Sequence, residues 1–112
     1  MRKILMSLVL AAGLVVTGCS SDDGGDAKAS EVIPVKVANM VYSPANLTIK
    51  VGQTVEWTFD DNGLLHDVVG DDGLKSDLVA TGTYRHTFTK VGTFKYLCSV
   101  HPMMTGTVTV TA

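Results

Sequence analysis

The stretch FKYLCSVHPMMTGTVTV, residues 94–110, combines a strand pattern with a cluster of chemically reactive side chains. One Cys, one His and two Met lie within seven positions, at Cys98, His101, Met103 and Met104. Apolar residues alternate with polar ones on both sides of the cluster, which predicts a strand before it and another that begins near Gly106. The spacing Cys-x2-His-x2-Met therefore predicts that a thiol, an imidazole and a thioether share one tight turn and can converge on a single point.

The rest of the folded part also follows a period of two. The runs VIPVKVANMVY, NLTIKV and TVEWTF each have one apolar face. Inward positions are predicted at Ile33, Val35, Val37, Leu47, Ile49, Val51, Val55, Trp57 and Phe59. The runs TYRHTFT and TFKYLC predict two strands that pair around a turn at 90–92, and GTVTVTA ends the chain. Short antiparallel strands without a helix pattern predict an all-β, Greek-key β-sandwich of about seven strands over residues 31–112.

The N-terminus has the parts of an export signal. Arg2 and Lys3 precede an apolar run over 4–16, which is too short for an ordinary membrane-spanning helix. The end of this segment, VTGC, resembles a bacterial lipobox, which implies cleavage after residue 18 and lipid on Cys19. We expect an exported protein that is anchored to the outer face of the cytoplasmic membrane or to the outer membrane. The alternative is an ordinary signal peptide that contains a Cys by chance.

Residues 19–30 predict a flexible tether between the lipid and the folded domain. The run SSDDGGDAKAS is small, polar and acidic, so it has no apolar side chains with which to build a core. From Cys19 onward the chain has seven Lys or Arg against eleven Asp or Glu, a net charge of −4. An acidic chain without a basic patch argues against nucleic acid as a partner.

Cys98 has no evident cysteine partner. If Cys19 carries lipid, no disulfide can form within the chain, although proteins outside the cytoplasm are where disulfides normally occur. One alternative is that Cys98 is a small buried core residue. A second imidazole is present at His66, thirty-two residues earlier. Two imidazoles, a thiolate and a weak thioether are the ligands of a blue-copper electron-transfer site, whereas structural zinc has little use for a thioether.

The folded part of the chain resembles a known family, most clearly near its C-terminus. The segment TYRHTFTKVGTFKYLCSVHPMMTGTVTV is similar to the C-terminal signature of the cupredoxins, and its short Cys-to-Met spacing is most similar to the amicyanin branch. The resemblance extends from Val32 to the C-terminus. It implies one copper ion bound by His66 and His101 through ring nitrogens, Cys98 as thiolate and Met104 as axial ligand. Met103 is the rival for the axial position, and we expect it to be an apolar loop residue instead.

Asp67 departs from the family pattern. In many cupredoxins the residue after the first copper-binding His is Asn, whose side chain ties that loop to the loop with the Cys. A carboxylate at Asp67 can accept a hydrogen bond from the backbone N–H or the hydroxyl of Ser99, so we expect the tie to survive. Its negative charge should favour Cu(II) over Cu(I), unless the carboxylate is solvated or protonated.

These features predict a carrier of single electrons rather than an enzyme. The ligand set leaves no coordination position open for substrate, and three His in the whole chain cannot build a second, catalytic copper site without another subunit. The resemblance implies electron exchange through the exposed ring edge of His101, with Val100, Pro102 and Met103 as an apolar docking patch for transient redox partners. We expect a monomer. The alternatives are a copper-sequestering or delivery lipoprotein and a purely structural sandwich.

The remaining polar candidates have simpler interpretations. His86 shares a strand face with Tyr84 and Phe88 and is expected at the margin of the core rather than at the copper. Acidic residues in loops are expected to be solvated surface groups that can steer a basic partner. These acids are Asp60, Asp61, Asp71, Asp72 and Asp77.

Overall fold

The computed structural model describes residues 31–112, which form a sandwich of two four-stranded sheets. The strands are β1 Val32–Ala38, β2 Val41–Ser43, β3 Asn46–Lys50, β4 Thr54–Asp60, β5 Val69–Gly70, β6 Thr81–Thr87, β7 Gly92–Cys98 and β8 His101–Thr111. No helix occurs within these residues. The predicted all-β Greek-key sandwich is confirmed, with eight strands where about seven were expected.

The two sheets are mixed rather than purely antiparallel. The first has the order β2-β1-β4-β6 and the second the order β3-β8-β7-β5. Strand β1 runs parallel to β4, and β3 runs parallel to β8. After the hairpin of β1 and β2 the chain crosses to the second sheet at β3 and returns at β4. Because of this excursion β4 enters the first sheet in the same direction as β1.

The predicted pairing of β6 with β7 is wrong. Strand β6 pairs with β4 in the first sheet, whereas β7 pairs with β5 and β8 in the second. Between them Phe88 is fully buried, and its backbone exchanges hydrogen bonds with the β3–β4 turn, to Gln53 O and from Gly52 N–H. The ring of Phe88 packs against His86 and Phe94. Residues 88–91 are therefore a crossing between the sheets, drawn inward by a buried aromatic side chain.

Most of the predicted inward positions form the core between the sheets. The buried members of the predicted set are Val35, Val37, Ile49, Val55, Trp57 and Phe59, and Ile33 and Leu47 pack against them. Val51 is 37% exposed because β3 ends at Lys50 and the chain turns there. Trp57, predicted as core, lies fully buried between Tyr84 and Tyr96.

Several chain segments that carry the predicted ligands meet at one end of the sandwich. Here β4 ends, β6 begins, and β7 passes into β8. His66 lies in the segment that follows β4, and its backbone exchanges two hydrogen bonds with Val79 just before β6. The N-terminus of β1 lies at the opposite end, since Val32 pairs with Thr54 at the start of β4.

The predicted signal peptide (1–18) and tether (19–30), with Cys19, lie outside the described residues. Within the part of the chain that the structure describes, no helix is long and apolar enough to span a membrane.

Candidate metal centre

Three side chains with metal-binding atoms converge at the end of the sandwich. Cys98 Sγ lies 3.7 Å from His66 Nδ1 and 3.6 Å from His101 Nδ1. All three atoms lie within 4.8 Å of one another, and the two imidazole ring centroids are 4.9 Å apart. Cys98 and His66 are fully buried, while His101 is partly exposed. The fold thus brings together residues that are far apart in sequence, with both imidazoles presenting the same ring nitrogen.

The ligand-bearing segment is not the single tight turn that the spacing suggested. Cys98 is the last residue of β7, and His101 is the first of β8. The two residues pair directly, so only Ser99 and Val100 form the turn. Leu97 pairs with Thr105, which leaves residues 102–104 as extra residues on β8. Such a bulge bends the strand and re-aims side chains, and it allows two strands to continue up to the site.

The two methionines of the bulge occupy different environments. Met104 is 3% exposed and belongs to the same buried apolar cluster as Cys98. Met103 is 90% exposed. Along β8 the inward face continues from Met104 through Val108 and Val110. Met103 therefore lies on the surface as expected, and Met104 is the methionine whose thioether lies inside the sandwich.

Asp61 orients the ring of His66. Its Oδ2 atom lies 2.8 Å from His66 Nε2, and both side chains are buried. When Nε2–H donates to the carboxylate, the neutral imidazole has its lone pair on Nδ1, the atom that faces Cys98. A carboxylate behind a metal-binding His is a common arrangement that fixes the tautomer and raises the basicity of the ligand nitrogen. The same Asp61 oxygen accepts a hydrogen bond from Met40 N–H at 3.0 Å.

The prediction that Asp61 is a solvated surface acid is wrong. Only 5% of Asp61 is exposed. The hydrogen bond from His66, followed by the backbone N–H of Met40, lowers the pKa of this carboxyl. The signal was present in the sequence, since Val55, Trp57 and Phe59 point inward and Asp61 continues the same alternation by one step.

Asp67 forms the expected tie in both possible ways. Ser99 N–H donates to Asp67 Oδ1 at 2.7 Å, and the Ser99 hydroxyl donates to Oδ2 at 2.6 Å. The backbone carbonyl of Asp67 accepts a hydrogen bond from the Tyr42 hydroxyl at 2.6 Å. Burial, with further contributions from Cys98 and Tyr96, raises the pKa of Tyr42, so its phenol remains a donor. The segment with His66 is thus bound to the segment with Cys98 and to the β1–β2 hairpin.

The third histidine does not reach this cluster. His86 Nε2 lies 2.9 Å from Asp72 Oδ2, and the His86 ring packs edge-on against Phe88. Its position at the margin of the core agrees with the prediction. Among the other acids, Asp60 is exposed and lies 3.9 Å from Lys36, while Asp71 accepts a hydrogen bond from the backbone of Lys95.

The donor set fits copper better than zinc. Within residues 31–112, His66, Cys98 and His101 are the one group of three or more His, Cys, Asp or Glu side chains close enough to share a metal ion. Two imidazoles and one thiolate are the strong ligands of a type 1 copper site, which adds a weak thioether such as that of Met104. A structural zinc site needs a fourth strong ligand, which this group lacks.

Comparisons with known proteins agree with this assignment. The family model described as "Cupredoxin-like domain" matches residues 7–110. Amicyanin from Paracoccus denitrificans is 34% identical, over 97% of this chain and 94% of its own length. Chloroplastic plastocyanin from Tetradesmus obliquus is 28% identical, over 87% and 74%. Among solved structures, a purple cupredoxin from Nitrosopumilus maritimus matches with a TM-score of 0.64 and 35% identity, over 70% of this chain and 99% of that one.

Proposed function

The chain belongs to the cupredoxin-like family and is a type 1 copper electron carrier rather than an enzyme, and we propose that His66, Cys98, His101 and Met104 hold its single copper ion. The observation that supports this ligand set most strongly is the convergence of three donor atoms within 4.8 Å in a largely buried site. The burial of Met104, in contrast to the exposure of Met103, supports Met104 as the methionine that would supply the weak thioether ligand.

The bound copper supplies a one-electron couple between Cu(II) and Cu(I), and the surrounding residues keep the site rigid. Cys98 binds as thiolate, so its proton is released when the metal is loaded. Asp61 holds the ring of His66, and Asp67 holds the Ser99 segment next to Cys98. A site whose ligands are fixed by packing and hydrogen bonds has a small cost of reorganisation when the charge of the metal changes. Rapid electron exchange follows from that rigidity.

Electrons enter and leave at the partly exposed ring of His101. Val100, Pro102 and Met103 are exposed around it, and Leu64 and Leu65 are exposed just before His66. We call these five residues the docking face. It is apolar, and docking surfaces of electron-transfer partners are small and form transient complexes. The docking face therefore suits brief encounters with protein redox partners, and a monomer is sufficient for the function.

The carrier works outside the cytoplasm, held to a membrane by lipid on Cys19. The sequence supports this part of the proposal through the signal pattern of residues 1–18, the lipobox-like VTGC and the polar tether at 19–30. One lipid-modified residue with several acyl chains is enough for stable anchoring. The copper-sequestering alternative is less well supported, because delivery favours open and exchangeable sites, whereas Cys98 and His66 are fully buried.

Electron self-exchange tests the function without requiring the natural partner. We expect fast exchange between the reduced and oxidised forms, measured from NMR line broadening in mixtures of the two. Met103→Lys should slow this exchange about tenfold or more, because two docking faces that each carry an added positive charge repel each other. Val91→Lys is the matched control, since Val91 is 63% exposed at the opposite end of the sandwich. Equal slowing by both variants would contradict the docking face, and slow exchange in the unsubstituted protein would contradict the carrier function.

A further inference from the structure

Two buried carboxylates flank the proposed copper ligands without a cationic partner. Asp61 and Asp67 are each 5% exposed. Among residues 31–112 the ion pairs that involve Lys or Arg are Lys36–Asp60 and Arg85–Glu56, so no Lys or Arg side chain pairs with either buried carboxylate. Buried charges are costly and are normally paired. Their position beside the proposed metal site points to an electrostatic role.

We propose that Asp61 and Asp67 act as a pair that sets the reduction potential, stabilising Cu(II) over Cu(I) so that the protein is a low-potential carrier. The inference rests on the proposed function. It concerns two residues that are not copper ligands but that orient the ligands or add charge near them. A low-potential site is reduced efficiently only by donors of lower or similar potential. The electron donor of this protein should therefore be strongly reducing. A wide range of acceptors can then oxidise it.

Asp61 acts through His66. Its carboxylate oxygen accepts a hydrogen bond from His66 Nε2–H at 2.8 Å, which increases the electron density at Nδ1. A more basic imidazole nitrogen increases the preference of the site for Cu(II) over Cu(I). The same oxygen also accepts a hydrogen bond from Met40 N–H, so the turn between β1 and β2 helps to hold the carboxylate in place.

Asp67 acts by its charge rather than by its hydrogen bonds. Its two oxygens accept hydrogen bonds from the backbone N–H and the hydroxyl of Ser99. An Asn side chain can also accept the backbone N–H through its oxygen and donate to the Ser99 hydroxyl through its amide nitrogen. The tie between the two ligand segments therefore does not require a carboxylate. What Asp67 adds is a full negative charge next to His66 in sequence and next to the Cys98 segment in space.

The sum of charges gives the direction of the effect. The Cys98 thiolate and the two carboxylates place three negative charges around the copper, so the site is already net negative with Cu(II) and becomes more negative with Cu(I). Interactions between charges are stronger in a site from which solvent is largely excluded than at an exposed surface. Each carboxylate therefore opposes the arrival of the electron, and removing either one should raise the reduction potential.

The test compares Asp61→Asn, Asp67→Asn and Asp60→Asn in the copper-loaded protein by spectroelectrochemical titration. Asn keeps an acceptor oxygen at both buried positions while removing the charge. Each buried substitution should shift the Cu(I)/Cu(II) equilibrium toward Cu(I) by about tenfold or more, which is a rise of about 59 mV for a one-electron couple. Asp60→Asn is the matched control. It removes the same charge at the position next to Asp61, but the Asp60 carboxylate is largely exposed to solvent. Its shift should stay below about threefold, since solvent screens exposed charges.

The outcomes separate this inference from the proposed function. Two outcomes would overturn the inference alone. In the first, all variants keep strong Cu(II)–thiolate absorption and their reduction potentials are unchanged. In the second, the potential of Asp60→Asn shifts as much as that of the other two variants. Absence of that absorption in the unsubstituted protein would overturn the copper site and this inference together. If Asp61→Asn does not fold, Asp67→Asn decides the question, with the ratio of Cu(I) to Cu(II) affinities as an independent readout.

Discussion

The two ends of the sandwich are closed by different kinds of interactions. At the metal end, His66, Asp61 and Asp67 are buried and linked by hydrogen bonds to Met40 and Ser99. At the opposite end the chain crosses between the sheets at Phe88, which is fully buried and held by backbone hydrogen bonds to the β3–β4 turn. Apolar burial stabilises a fold directly, whereas buried polar groups cost desolvation that their hydrogen bonds roughly offset. The comparison indicates that one end of the molecule provides stability and the other provides a preorganised site.

The largest effect in this comparison should come from the apolar end. Phe88→Ala removes a buried ring that contacts His86 and Phe94, and we expect it to lower the free energy of unfolding by about 3–5 kcal/mol. Urea unfolding of the metal-free protein measures the loss. The copper spectrum of the folded fraction should remain unchanged, because the ligands lie at the other end. Val91→Ala, at an exposed neighbouring position, should change stability by no more than about 0.5 kcal/mol.

A loss below about 1 kcal/mol for Phe88→Ala would contradict the assignment of stability to this end. An altered copper spectrum in the folded variant would show that the two ends are coupled rather than separate.

A smaller effect is expected from the metal end. Ser99→Ala removes the hydroxyl donor to Asp67 Oδ2 and keeps the backbone N–H bond to Oδ1. We expect a loss of about 1–3 kcal/mol in the free energy of unfolding, because a largely buried carboxylate oxygen loses its partner. Thr54→Val serves as the control, since it removes an exposed side-chain hydrogen bond to Thr87 at the opposite end. If both substitutions cost the same, the hydrogen bond from Ser99 to Asp67 contributes no more than a surface contact.

The alternation of apolar residues predicted most of the core positions in β1, β3 and β4. Ile49, Val55 and Trp57 all lie where a period of two places them. The same pattern does not specify which strands are neighbours, because it carries no information on the sheet to which a strand belongs. The error on β6 and β7 arose in this way, since a short connection that normally makes a hairpin here crosses between sheets at Phe88.

The candidate site was predicted better than its surroundings. The residue types and spacing identified His66, Cys98 and His101, and the fold brings them together. Asp61 was missed because an Asp next to another Asp at a strand end usually faces solvent. Its burial depends on a partner five residues later, the ring of His66, whose orientation only the fold determines. The bulge at residues 102–104 depends likewise on strand register, which the sequence pattern does not reveal.

The most direct test of the copper site is the visible absorption and electron paramagnetic resonance spectrum of residues 31–112 with one equivalent of Cu(II), recorded beside Cys98→Ser. Cys98 Sγ is the atom that lies close to both imidazole nitrogens. We predict an intense blue Cu(II)–thiolate band with a narrow copper hyperfine splitting in the unsubstituted domain, and the loss of both in Cys98→Ser. A colourless protein, or copper binding that is the same in both, would contradict the site and return Cys98 to the role of a core residue.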